Sequence, residues 1–397
     1  MIDKIGDKCT GCEACANSCP KGCISMVENA EGFLFPEIDS SKCIGCELCE
    51  KACPVLHPIP IIKTQEDVKV YALIHKDESV RSHSSSGGAF SAIAEYVLEQ
   101  GGVVFGAAFD EKFDVHHICV DKSEDLYKLR GSKYVQSRIG DTYKQAKEYL
   151  KQGRLVFFTG TACQTSGLLG YLGRDYENLI TQDLICHGVP SPLAWRKYVR
   201  LREQLERSDA EHIFFRDKTF GWHNWHIAFR FKNGGEFRQN QRDDMMISAF
   251  LRGKCSRKSC YDCPFKQKYR LADITLADYW GIEKIAPELD DDKGISSVYI
   301  NSPKAQAILD AASDRVFLRQ MDLDTAVEHN MAMVESEKLS RDRSDFLRDL
   351  RKKSFDMVYG RYIYQFGTGT KVKWTLRRIL GNRVYDTLLG RGKRGRP

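Results

Sequence analysis

Between residues 68 and 186 the chain alternates two hydrophobic rhythms. Short apolar runs at 68–74, 103–109, 155–159 and 180–186 predict strands, and helical periods over 89–100 and 141–152 predict helices lying between them. The alternation is α/β in character. An amphipathic, charged helix follows Pro192. Segments 213–216, 227–231 and 236–238, the last two around Asn233-Gly234-Gly235, read as an antiparallel addition. The expected fold class is therefore α/β of a mixed α+β kind, with a mixed sheet in the larger body. Upstream, 24–27 and 32–36 flank Glu28-Asn29-Ala30-Glu31 as a short hairpin. Val55-Leu56-His57-Pro58-Ile59-Pro60 then predicts a stiff linker. The expected division is a small domain at 1–60, a body at 66–340 and a helical basic extension at 341–397.

A chain of 397 residues is long enough for two or three domains, one with a large core. Its 42% hydrophobic and 29% charged residues are ordinary for a soluble globular protein, and no apolar run approaches the ~20 residues that span a bilayer. Met1-Ile2-Asp3-Lys4 leads directly into cysteines with no apolar leader, so the expected location is the cytoplasm. The net charge of +6 changes the picture only at one end: nine Lys or Arg stand between Lys371 and Pro397 against one acid, Asp386. With Trp374, Leu376, Ile379, Leu380, Val384, Leu388 and Leu389 among them, these cations suit a membrane surface or an acidic partner as well as a solvated tail. Nucleic acid is not expected, because basic charge is its only sign.

Fifteen cysteines in a reducing compartment read as metal thiolates rather than disulfides. Nine lie in the first 60 residues, where Cys9, Cys12, Cys15 and Cys19-Pro20 form C-x2-C-x2-C-x3-C-P and Cys43, Cys46, Cys49 and Cys53-Pro54 repeat it. This is the spacing of a bacterial-type ferredoxin with two 4Fe–4S clusters, in which the fourth cysteine of each run serves the other cluster. The expected sets are Cys9, Cys12, Cys15 and Cys53, and Cys43, Cys46, Cys49 and Cys19. Zinc knuckles, the competing reading, take two CxxC pairs across a longer loop. Cys23 and Cys119 are expected as packed free thiols. A second group, Cys255-x4-Cys260-x2-Cys263-Pro264 with Cys186 and Cys163 upstream, matches a third 4Fe–4S site, against a zinc site or plain buried cysteines.

Seven ordered motifs carry a resemblance to a known family. They are Ser84-Ser85-Ser86-Gly87-Gly88-Ala89-Phe90, Gly131-Ser132-Lys133-Tyr134, Gly160-Thr161-Ala162-Cys163-Gln164, Asp183-Leu184-Ile185-Cys186-His187-Gly188, Phe215-Arg216-Asp217-Lys218, Ser259-Cys260-Tyr261-Asp262-Cys263-Pro264-Phe265 and Ala272-Asp273-Ile274-Thr275-Leu276-Ala277-Asp278-Tyr279-Trp280-Gly281. Over roughly residues 5–300 the chain resembles the coenzyme F420 hydrogenase/dehydrogenase beta-subunit family in a ferredoxin-fused form. The resemblance implies a body that binds FAD beside a 4Fe–4S cluster, a flavin being able to hold one electron while awaiting a second. It implies Cys186, Cys260 and Cys263 as ligands of that cluster. The fourth stays open: Cys255 has the local spacing and Cys163 lies in a family motif.

For the flavin, the candidates are Ser85, Ser86, Gly87 and Gly88, whose run precedes a helical period and can offer backbone N–H groups to a pyrophosphate, or simply cap the helix. Ser132, Lys133 and Tyr134 form a second candidate group. Thr159, Gly160, Thr161 and Gln164 make a third, after a strand and opening a helix. Lys133, His187 and Lys218 are the candidate catalytic residues, and Trp222-His223-Asn224-Trp225-His226 is a candidate substrate platform; for each, a structural role is the plain alternative. The expected function is an oxidoreductase drawing electrons from a ferredoxin or another low-potential donor, through two ferredoxin-type clusters and a third 4Fe–4S cluster, to FAD and a small-molecule two-electron acceptor, or the reverse. The alternative is a non-catalytic subunit relaying electrons to a partner enzyme.

Overall fold

The structure is a computed structural model that describes residues 2–364 together with 376, 379–381, 384 and 385. Most of the basic segment, with the surface contacts expected of it, lies outside the described residues. The N-terminal lobe carries a hairpin of β1 (Ile24–Glu28) and β2 (Leu34–Ile38).

The body holds β3 (Lys69–His75), β4 (Val103–Phe109), β5 (Val115–Val120), β6 (Val156–Thr159), β7 (Leu179–Leu184), β8 (Ala210–Asp217), β9 (His226–Phe231), β10 (Glu236–Asn240), β11 (Ile274–Asp278), β12 (Ser296–Ile300) and β13 (Val316–Met321). Eight of these form one sheet in the order β13-β3-β12-β11-β7-β6-β4-β5. β11, β7, β6 and β4 are parallel at its centre, and antiparallel pairings finish both sides. Every residue of β6 is buried, as a strand covered on both faces requires. Because side chains alternate across a strand, Phe157 packs with helix Ala89–Glu99 on one face and Phe158 with helices Thr142–Lys151 and Ala162–Leu172 on the other.

The sheet is mixed, as expected, but for a different reason. The antiparallel segments after residue 210 form their own sheet, β10-β9-β8, and the mixing comes from β3, β5, β12 and β13. The smaller sheet shares a core with helix Pro192–Glu206, built on Trp195, Tyr198 and Phe229. Helices Arg343–Lys352 and Phe355–Tyr359 complete it through Phe346, Leu350 and Phe355.

The N-terminal lobe is clamped to the body. Arg257, 1% exposed, donates from Nε to the Cys9 carbonyl at 2.6 Å, from Nη1 to Gln136 Oε1 at 3.0 Å and from Nη2 to the Leu34 carbonyl at 2.9 Å. The Glu13 carboxylate accepts the backbone N–H groups of Ile139 (2.9 Å) and Gly140 (3.0 Å), and Gln136 Nε2 donates to the Thr10 carbonyl at 2.9 Å. Arg343 grips Glu31 bidentately at 2.9 and 2.7 Å. At Gly167 the approach is so close that a Cβ would lie 3.0 Å from Cys12 Sγ.

Arg257→Met removes a buried fork and leaves two carbonyls and an amide oxygen without their donor. A loss of about 3 kcal/mol is expected, read as a lower anaerobic unfolding midpoint with early proteolytic separation of the lobe.

Candidate functional site

Each cysteine run of the lobe turns through a residue in the left-handed region, Glu13 at φ 60° and Glu47 at φ 59°, into a short helix, Ala14–Ser18 or Leu48–Lys51. Cys9, Cys12 and Cys15 then line one cavity with Cys53 from the other run, and Ile2, Ile5, Met26, Pro36 and Val55 close it with apolar surface. Burial pushes the Cys12 thiol up to about 12, neighbouring Cys53 and Cys9 adding to the rise, and burial raises Cys15 and Cys53 likewise. Cys19 stands on the other side of the repeat, its Sγ 3.2 Å from that of Cys23, which in turn lies beside Cys43; Cys46 neighbours Cys49. The all-sulfur set of Cys9, Cys12, Cys15 and Cys53 in its apolar walls suits iron with sulfide, and the other four thiols repeat its spacing nearer the surface, Cys46 being exposed.

The body builds a further cavity of four thiols from three separate places. Cys163 sits in the first turn of helix Ala162–Leu172, Cys186 follows β7, and Cys260 and Cys263 lie in and just after the short turn Lys258–Asp262. The four line one space with Thr10, Thr161, Gly188, Lys266 and Arg270. Burial raises the Cys186 and Cys263 thiols, while the cations of Lys266 and Arg270 pull them back down. Cys255 is not in this space: it is fully buried in the core around Trp195 and Phe250, next to Glu337 and Arg343. Thr10 lines both this cavity and that of Cys9, Cys12, Cys15 and Cys53, so the two adjoin.

The parallel strands bring a second group of loops to one edge. Ser84–Gly88 follows β3, Cys186 follows β7 and Asp278 ends β11, all strands running the same way. There Ser85 Oγ meets Ser132 Oγ at 2.8 Å and accepts the Ser132 N–H at 2.7 Å, while Ser86 Oγ donates to the Ile295 carbonyl and Gly87 N–H to Ser296 Oγ. The Lys133 ammonium is surrounded by the carbonyls of Leu129, Arg130 and Gly131 at 3.4, 3.1 and 3.2 Å. That of Lys218 meets the carbonyls of Arg81, Ser86 and Lys293 at 2.8, 3.0 and 2.7 Å. Burial pushes both lysines down to about 7, and neither ammonium pairs with a carboxylate among the described residues. Arg216 holds Asp278 bidentately at 2.7 and 2.9 Å and donates to Tyr134 at 3.2 Å. Trp222 donates to the same aspartate and stacks on Trp280 at 4.8 Å between ring centroids.

The third candidate loop spends its groups internally. Thr159 Oγ1 donates to the Phe105 carbonyl, Gly160 N–H to Gln182, and Thr161 with Gln164 forms the capping box of helix Ala162–Leu172. His187 follows Cys186 with its side chain exposed; desolvation by the surrounding protein, then the Lys266 charge, push its pKa down. Of the aromatic segment, Trp222 and Trp225 are core, and His223 Nε2 lies 2.8 Å from Asp290. Thr10, Lys266, Arg270 and the Arg216–Asp278 pair were not singled out from the sequence, although Arg216 and Asp278 stand inside two of the seven motifs.

A duplicated cysteine lobe packed on an α/β body defines an iron–sulfur electron-transfer protein, and residues 8–56 match the 4Fe-4S dicluster domain. Residues 70–142 match the coenzyme F420 hydrogenase/dehydrogenase, beta subunit N-term, and residues 153–326 match its C terminus. The chain belongs to this beta-subunit family, with the dicluster domain placed ahead of it. No curated protein matches it. Among solved structures, one chain of the F420-reducing NiFe hydrogenase complex from Methanosarcina barkeri, studied by xenon derivatization, is 19% identical. The match covers 76% of this chain and 93% of that one at a TM-score of 0.43, too distant for any argument about function. No helix among the described residues is long and apolar enough to cross a membrane.

One buried histidine behind the Thr159 loop sets a pH dependence. His117 Nε2 lies 2.9 Å from the Thr159 carbonyl and Nδ1 2.7 Å from Ser137 Oγ, and burial pushes its pKa down to about 4. The unfolded chain therefore binds this proton first as pH falls: the full stability is present above about 6.5, and about 3 kcal/mol is lost between 6.5 and 4. Denaturant titrations across that range should show the slope in the native protein, and His117→Gln should lack this component.

Proposed function

We propose that the chain is an iron–sulfur flavoprotein oxidoreductase. In this reading Cys9, Cys12, Cys15 and Cys53 hold one 4Fe–4S cluster, Cys19, Cys43, Cys46 and Cys49 a second, and Cys163, Cys186, Cys260 and Cys263 a third, with Cys255 a core residue. The observation that carries it is Thr10, common to the walls of two thiol cavities. Centres held there would be close enough for electrons to pass between lobe and body without either moving.

FAD fits the edge where Ser85 and Ser132 meet. The half-buried ammonium groups of Lys133 and Lys218 donate to carbonyls and pair with no carboxylate among the described residues, and a diphosphate supplies the missing negative charge. The flavin's chemistry is to exchange electrons singly with clusters and in pairs with an organic substrate. Arg216 and Asp278 keep Tyr134 and Trp222 in place at this edge, and His187, exposed next to Cys186 with its pKa pushed below the usual histidine value, can accept or give a proton there. The substrate is a small-molecule two-electron acceptor, and the donor a ferredoxin or another low-potential carrier.

Protein purified without oxygen should contain about twelve irons and one FAD per chain. Cys163→Ser should lose about four of those irons, whereas Cys255→Ser should keep them all. About eight irons and no flavin in the native protein would remove the body centre and favour a relay subunit. Lys218→Met should weaken FAD at least about tenfold, in equilibrium dialysis, with iron content unchanged.

A further inference from the structure

The internal repeat places two copies of one surface on the lobe, and only one of them is covered. In the first copy Thr10, Gly11, Cys12, Glu13 and Ala14 are all buried against the body. Their counterparts, 34 positions on, are Ile44, Gly45, Cys46, Glu47 and Leu48, and every one is exposed. The backbone is the same in both: Gly11 and Gly45 have φ 69° and 68°, and Glu13 and Glu47 have 60° and 59°. The surroundings are opposite. A Cβ on Gly11 would run into Gln136 and Arg257, whereas one on Gly45 meets nothing within 4 Å. Glu13 accepts two backbone N–H groups of the body, and the Glu47 carboxylate pairs with nothing among the described residues. The uncovered copy also carries larger apolar groups, Ile44 at 60% and Leu48 at 43% exposure, where the covered copy has Thr10 and Ala14.

We infer that the face of Ile44, Cys46, Glu47 and Leu48 is the docking site of a ferredoxin-type electron carrier. The inference rests on the proposed function and adds where electrons enter. The first copy shows what such a face takes: a loop offering backbone N–H groups to the glutamate, seated on the cysteine turn with a thiol cavity directly behind it. The second copy leaves that place open for another protein, and its isoleucine and leucine supply the apolar contact a brief encounter needs. One electron passes from the reduced carrier, which is oxidised, to the centre held by Cys43, Cys46, Cys49 and Cys19, with no bond made or proton moved.

The test is anaerobic stopped-flow absorbance of the full chain mixed with a reduced 2(4Fe–4S) ferredoxin, and separately with dithionite, which needs no docking face. Ile44→Asp with Leu48→Asp should slow reduction by ferredoxin at least about tenfold, with dithionite reduction and iron content unchanged. Ala substitution of Tyr127, an equally exposed side chain elsewhere, should leave both rates as they are. Equal ferredoxin rates in the double variant and the native protein overturn the inference. So does a native protein that dithionite reduces and ferredoxin does not. A chain that even dithionite cannot reduce overturns the proposed function itself.

Discussion

The buried guanidinium of Arg257 reaches three acceptors at once, the carbonyls of Cys9 and Leu34 and the amide of Gln136, and it belongs to the same segment as Cys255, Cys260 and Cys263. One side chain thus ties the first cysteine turn of the lobe to the cysteine turn of the body. A planar fork with five donors satisfies several acceptors in fixed directions, which an apolar contact of the same area does not. Glu13 works from the other side with opposite polarity, a carboxylate inserted into two backbone N–H groups. With these in place the two thiol cavities share Thr10 as a wall, and the lobe sits as part of the body.

The remaining chemistry follows from strand direction. Parallel strands deliver their carboxyl ends to one edge, and in open α/β sheets that edge is where ligands bind. Here it gathers the serine loop after β3, Cys186 after β7 and Asp278 at the end of β11. The small sheet adds Arg216 and Lys218 from the end of β8 and just beyond. The result is two half-buried lysines without a carboxylate partner among the described residues, beside the Arg216–Asp278 pair and next to a cavity of thiols. Desolvation disfavours an unpaired ammonium at such a place, which is why both lysines are pushed down to about 7.

Much of this was legible from the chain alone, and the failures share a cause. The helices expected at 89–100 and 141–152 are found at Ala89–Glu99 and Thr142–Lys151, and β4, β6 and β7 within a residue or two of their apolar runs. β11, β12 and β13 were not anticipated, and the segments of β8, β9 and β10 were expected to join the main sheet. An apolar run says that a strand forms; its neighbours are chosen by contacts far away in sequence. The Pro-rich stretch at 55–60 reads as a linker, and nothing local announces that Arg257, some 200 residues on, locks the preceding lobe in place.

The sequence by itself determined the class of chemistry and the repeat, because three thiols two residues apart on one tight turn are a local geometry that the spacing alone dictates. It also carried the motifs by which the family is recognised. The tertiary structure decided which remote groups complete each cavity. Cys163 shares a space with Cys186, Cys260 and Cys263 while Cys255, nearer in sequence, turns into the core beside Trp195. It likewise decided which half of the repeat is covered and which faces solvent. Those outcomes depend on packing between segments far apart in the chain, and sequence separation carries no record of that.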